Sequence, residues 1–272
     1  MSDGEFLIFA GSSILTFYNW KAWYQALIGV WPQDRGKKER IWLGIFPLIC
    51  ISVIFLVLKN YASFDVVGSL FYILFYILLG SAWLELGKYT MFIVFDLSWR
   101  DDAIENNNRA AVFALSGALI GLTAIYAGAN IGDGPGWWCV LVAGGFAFIL
   151  WLLLLKVICI LDNPFERITV DRDEAAGLRM GFYMLSSGFV LGRGAAGDWT
   201  SSEQTLYELL DAWPVLFLTA LAILVERMYR RRGFEDTHLG HSILWGCLYI
   251  FAALLIVYLL PPLPHNSLYG IF

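Results

Sequence analysis

Charge is scarce in this 272-residue chain: only 15% of residues are Asp, Glu, Lys or Arg. A soluble domain carries roughly 25%. With 59% hydrophobic residues and positive mean hydropathy, the shortfall excludes a water-soluble globule and implies an integral membrane protein. Histidine is equally sparse. His238, His241 and His265 all fall outside the apolar runs, so none is left within the membrane to ligate haem. The four cysteines (50, 139, 159, 247) are isolated and form no CxxC pair, which points to packing rather than zinc or redox chemistry. The dense basic run Arg230-Arg231-Arg232 follows a long apolar stretch, and no nucleic-acid-binding pattern accompanies it. The N-terminus lacks the basic region and small-residue cleavage site of a secretory signal.

What the chain has is long apolar runs. Six, at about 41–58, 66–95, 108–131, 137–161, 174–197 and 207–228, and a seventh at about 242–260, each meet the roughly 20 residues needed to cross a bilayer. Residues 5–31 are long enough too. Asn19, Lys21 and Gln25 interrupt them, and Trp20, Trp23 and Trp31 suit an interface, so both a span and a surface helix stay open. The expected fold is an all-α, polytopic bundle of seven spanning helices, eight if 5–31 spans. Residues 1–40 form an N-terminal aromatic element with a basic loop, and 41–272 form the transmembrane domain. Sorting loops by side puts twelve basic residues, from Arg35 to Arg232, on one face and Lys59 alone on the other. The positive-inside rule makes the first face cytoplasmic and the C-terminus external.

Glycines 117, 121, 128 and 132 share one helical face, and 177, 181, 188 and 192 repeat that spacing 60 residues later. Other landmarks repeat at larger offsets. Trp83 and Lys88 align with Trp151 and Lys156 at 68, and Ala110-Ala111 and Gly132-Asp133 align with Ala175-Ala176 and Gly197-Asp198 at 65. Two helix pairs, about 66–131 and 137–197, therefore read as copies running in the same direction. Asn108-Arg109-Ala110-Ala111 opening a glycine-rich span, with Asp173-Glu174-Ala175-Ala176 opening a second, resembles the YjfL-like bacterial inner-membrane proteins, whose shared domain is of unknown function (number three hundred and fifty). The resemblance covers about residues 66–200. It implies a bacterial inner membrane and brings no activity with it.

Three candidate sites follow. The glycine faces suit close helix packing, within the chain or between subunits, or carbonyl lining of a permeation path. Glu85 and Lys88 lie one helical turn apart inside a span, where an ionisable pair is costly. Lys156 and Arg179 sit nearer the cytoplasmic ends and are expected to snorkel. Asp133, Asp198, Glu203, Glu208 and Asp211 make an acidic outer rim that, repeated in an oligomer, concentrates cations. Gly192-Arg193-Gly194-Ala195-Ala196-Gly197 matches a dinucleotide fingerprint but follows no strand. No nucleophile–base pair or phosphate-binding lysine motif appears.

These readings lead to an oligomeric channel- or transporter-like protein, not an enzyme, that handles small cations or cationic solutes, without cofactor or metal. Its partners are the lipid bilayer, further copies of itself and other membrane subunits. The alternative is a non-catalytic subunit scaffolding a larger membrane complex.

Overall fold

In a computed structural model of the chain, residues 2–29, 38–232 and 239–260 are described. They fold into helices α1 (Asp3–Ile28), α2 (Lys38–Tyr61), α3 (Phe64–Val67), α4 (Leu70–Phe95), α5 (Arg109–Ala129), α6 (Trp137–Asp162), α7 (Pro164–Thr169), α8 (Glu174–Gly194), α9 (Ser202–Leu210), α10 (Val215–Arg232) and α11 (Leu239–Leu259). A π-helical connector, Trp99–Glu105, joins α4 to α5. No named strand occurs among the described residues; Ala62 and Gly132 make an isolated bridge.

Five helices are long and apolar enough to cross a membrane: α2, α4, α5, α6 and α11. The bent pair α9–α10 makes a sixth if it counts as one span. Two of the seven expected spans need correction as continuous segments. The run 66–95 breaks after the short α3, at Gly68 and Ser69, where the Ser69 side chain accepts from the Tyr72 N–H and starts α4. The run 207–228 breaks at 211–214, and α9 and α10 meet at 52°. Pro214 lies in that break, as expected of a residue that cannot donate to a helix interior.

The other expected span, α8, falls below the apolarity criterion because glycine, serine and two arginines dilute it. It nevertheless runs against α5 along its whole length. The two are parallel: Gly177 meets Ala110 near their starts, Gly181 meets Gly117, Gly188 meets Gly121, and Gly192 meets Gly128 near their ends. A methyl group at Gly117 or Gly128 would fall inside the van der Waals radius of the facing carbonyl, of Gly181 or Gly192. Only glycine lets the backbones come this close, which is where lipid-embedded helices gain packing energy. The glycines therefore face each other about 64 or 67 residues apart, not at the 60-residue spacing by which they align in sequence.

The helix α1 runs parallel to α4 in the same way. Phe9 packs on Phe71 and Phe75, the Thr16 hydroxyl donates to the Leu78 carbonyl (3.2 Å), and Trp23 reaches Lys88. The helix α1 is not among the helices long and apolar enough to cross a membrane, and it lies side by side with α4. On the far side of the bundle, α11 packs on α8, and α10 on α6 and α8. The outward faces of α2 and α11 expose leucine, isoleucine and phenylalanine, as lipid contact requires.

The left-handed residues occur in matched places. Asp96 and Asn163 end α4 and α6; Asn107 and Arg172 precede the N-caps of α5 and α8; Gly132 and Gly197 turn the loops after them. Asn108 and Asp173 cap those helices identically, each accepting from the second and third residues onward: Ala110 and Ala111, or Ala175 and Ala176. In the connector, burial pushes the Asp102 carboxyl above its ordinary pKa while it accepts from the Ser98 N–H (2.8 Å).

Candidate cation site between α1, α2 and α4

Glu85 and Lys88 form a buried ion pair on α4, with Lys88 Nζ 2.7 Å from Glu85 Oε1 and the lysine side chain 4% exposed. Lys88 does not snorkel out. Its ammonium lies over two indoles, 4.5 Å from the Trp23 centroid and 4.6 Å from that of Trp99. The two rings stack at 5.0 Å, so the ammonium and both centroids form a nearly equilateral triangle. Desolvated cation–π contacts of this kind contribute about 2 kcal/mol. Trp23 comes from α1, where sequence reading treated it as an interface marker, and Trp99 comes from the connector.

A proline fixes this corner. Pro47, inside α2, has no N–H to offer the carbonyl four residues earlier, that of Leu43. That carbonyl accepts instead from Trp23 Nε1 (3.1 Å). One residue on, the Gly44 carbonyl accepts from the Tyr24 hydroxyl (3.0 Å). A proline within an apolar run was the signal that could have pointed to this junction.

Glu85 and Lys88 line a small cavity of about 30 Å³ between α1, α2 and α4, whose other walls are mostly apolar, including Phe46, Cys50, Leu84 and Leu119. Ser81 and Trp20 add polar edges. Lys88 accounts for the hydrogen bond and the charge contact recorded for Glu85.

The second buried charge cluster lies elsewhere and overturns an expectation. Arg179 on α8 does not snorkel: it is fully buried and grips Glu226 on α10 with two bonds, Nε to Oε1 (2.7 Å) and a terminal nitrogen to Oε2 (3.1 Å). Its other terminal nitrogen donates to the Ser242 hydroxyl on α11 (2.8 Å), and its guanidinium stacks on Tyr229 (4.2 Å). Arg167 also pairs with Glu226. Sequence reading missed Glu226. The available signal was a lone carboxylate in the apolar α10 and a buried arginine elsewhere needing one.

The acidic rim is divided. Asp133 and Asp198 meet where the loops after α5 and α8 pair: Asp198 Oδ1 accepts from the Asp133 N–H (2.7 Å), and the Asp133 carbonyl from the Trp199 N–H (2.7 Å). Asp133 and Glu208 line a second small cavity, of about 40 Å³, at this end of the bundle. Glu203 lies exposed in the first turn of α9, and Asp211 ends that helix. The structure thus gathers three of the five around the paired loops. Arg193 is half-buried within the field of Asp211. Gly132 and Gly197, both left-handed, press together here. All eight helix-face glycines except Gly132, which lies just beyond α5, fall within α5 or α8 and pack at their shared seam. Of the three histidines, His238 and His265 lie outside the described residues.

Residues 65–195, just under half of the chain, match the family model described as Domain of Unknown Function (DUF350). That stretch is similar to the DUF350 family. It contains α4, the connector and α5 through α8, and so holds Glu85, Lys88, Trp99 and Arg179. Trp23, Pro47, Glu226 and Ser242 lie outside it, so both buried charge clusters are completed by helices flanking the matched stretch. No curated protein and no solved structure matches the chain.

Proposed function

We propose that the protein is a transporter- or channel-like carrier of small cations or cationic solutes, with Glu85 as the group that takes the cation. The observation that carries this reading is the buried Glu85–Lys88 pair beside a cavity. Both residues sit on one helix, and Lys88 also reaches α1 and the connector through the Trp23 and Trp99 rings. Burying two charges costs several kcal/mol each before pairing. A buried carboxylate that is paired with a lysine of its own helix and borders a cavity is within reach of an entering cation. The acidic end, with Asp133 and Glu208 on the second cavity, supplies a field that gathers cations before they reach Glu85.

In this reading the basic end lies in the cytoplasm, the acidic end outside, and the membrane is the bacterial inner one. The Glu85 site is complete in one chain, because the glycine faces pack against each other within it. A homo-oligomer would add a ring of Asp133, Asp198 and Glu208 around its axis, and native mass spectrometry in detergent reads its order. The main test is flux into proteoliposomes by wild type, Glu85→Gln and Lys88→Met. Uptake by wild type that Glu85→Gln abolishes is expected; a well-folded wild type that moves no cation overturns the reading.

A further inference from the structure

We propose that the cleft where α6 ends beside α10 binds a phospholipid with a primary-ammonium headgroup, of the phosphatidylethanolamine class. The site stands apart from the transport reading and uses none of its residues.

The cleft has a volume of about 420 Å³, far larger than the two small cavities described above and within the roughly 300–1,000 Å³ of small-molecule sites. Its charged lining is balanced, with Lys156 and Arg230 against Asp162 and Glu166. Neither sign is fully matched from within. Lys156 is exposed and makes no ion pair or hydrogen bond among the described residues. The Asp162 side chain is 2% exposed, yet it accepts no hydrogen bond among them. Arg227 Nε stands 3.6 Å from its Oδ1 and an Arg230 terminal nitrogen 3.9 Å, while Oδ2 has no partner. N–H···O bonds run at about 2.7–3.2 Å, so a buried carboxylate here lacks a donor. The groups around it are held in place. Arg230 donates to the Leu161 carbonyl at the end of α6 (3.4 Å), and the Asn163 side chain donates to Glu166 Oε2 (2.7 Å).

The place of the cleft in the fold says what carries the headgroup. Lys156 lies about 9 Å of helical rise before the end of α6, a helix long and apolar enough to span. Leu153, Val157 and Ile160, its neighbours along α6, are all exposed, as side chains against lipid are. A lysine at that depth turns its ammonium toward the interface, where lipid phosphates lie. Acyl chains packed on those aliphatic side chains bring a headgroup into the cleft with its phosphate at Lys156 and Arg230. The headgroup ammonium then reaches Asp162 and Glu166 and supplies the donor that Asp162 lacks. An anionic headgroup leaves both carboxylates unmatched, and a quaternary ammonium has no N–H to give them.

The test is native mass spectrometry of the full chain in detergent. The chain is equilibrated with equal amounts of phosphatidylethanolamine, its N,N-dimethyl derivative, phosphatidylcholine and phosphatidylglycerol, all with the same acyl chains. Wild type is expected to retain one phosphatidylethanolamine at least fivefold over phosphatidylcholine and phosphatidylglycerol, with the dimethyl lipid between. Lys156→Met and Glu166→Gln, both at exposed positions, should melt as wild type does and reduce that preference below twofold. Equal retention of phosphatidylcholine, equal or stronger retention of phosphatidylglycerol, or an unchanged preference in either variant overturns the proposal. Free O-phosphoethanolamine should not displace the lipid at equal concentration. If it does, the ligand is a soluble phosphoamine and the lipid assignment falls.

Discussion

The two buried charge clusters are made from the same kinds of group and do opposite things. Arg179 and Glu226 are 47 residues apart and tie α8 to α10, with Ser242 bringing in α11 and Arg167 the α7 turn. Their charges are consumed in holding four elements together. Glu85 and Lys88 are three residues apart on α4, and the Lys88 ammonium reaches α1 and the connector through the rings of Trp23 and Trp99. The first cluster joins helices by ion pairs and hydrogen bonds; the second keeps its ion pair within one helix and borders a cavity lined by both partners. The difference separates a structural staple from a site without appeal to any relative.

The sharpest way to break this contrast is at Glu226. Replacing it with Gln leaves Arg167 and Arg179 facing each other without a counter-charge, and about 3–5 kcal/mol of stability should be lost. Thermal unfolding in detergent, or accumulation in the membrane, reads the loss. If Glu226→Gln is as stable as wild type, the staple reading fails. Next in size is the seam. Gly117→Ala and Gly128→Ala each push a methyl group into a facing backbone carbonyl that no rotamer can relieve, at about 1–3 kcal/mol. Gly145→Ala, with open space around it, should be neutral or stabilise by about 0.5–1 kcal/mol.

On the other side of the comparison, Glu85→Gln with Lys88→Met should cost at most the about 2 kcal/mol of the lost Lys88 ring contacts, less than Glu226→Gln, since a buried pair replaced as a unit is itself often neutral. Flux should nonetheless disappear. A large loss of stability in that double variant would make the two clusters alike. The smallest effect belongs to Pro47→Ala. The new N–H competes with Trp23 Nε1 for the Leu43 carbonyl, so melting should hold or rise while cation uptake falls a few-fold.

Sequence reading reached whatever depended on short spacing. The helical period placed Glu85 beside Lys88, and the same period put the glycines on one face, because both follow from 3.6 residues per turn. Asn108 and Asp173 were recognisable as helix openings for the same local reason. Contacts between distant parts were not recoverable. Nothing near Trp23 or Trp99 in the chain announces that their indoles meet over Lys88, and tryptophan is common enough at interfaces to suggest the wrong role. Arg179 was read as snorkelling because its position along α8 is legible while Glu226, on another helix, is not. The break at Gly68 and Ser69 was hidden by hydropathy, which registers polarity but not a change of direction.

The parallel seam of α5 and α8 also has an electrical consequence. Most neighbouring helices in a bundle run in opposite directions, and their peptide dipoles cancel. These two run the same way with their backbones touching, so the roughly half a charge at each helix end adds to about one elementary charge, positive where both begin and negative where both finish. At the start, Asp173 and Glu174 on α8 and Glu39, which pairs with Arg109 (2.6 Å), stand against that positive end. At the finish, the summed negative end lies beneath the loops that carry Asp133 and Asp198. The backbone and the side chains therefore bias the same end of the molecule toward positive ions, and removing either carboxylate would leave the backbone contribution in place.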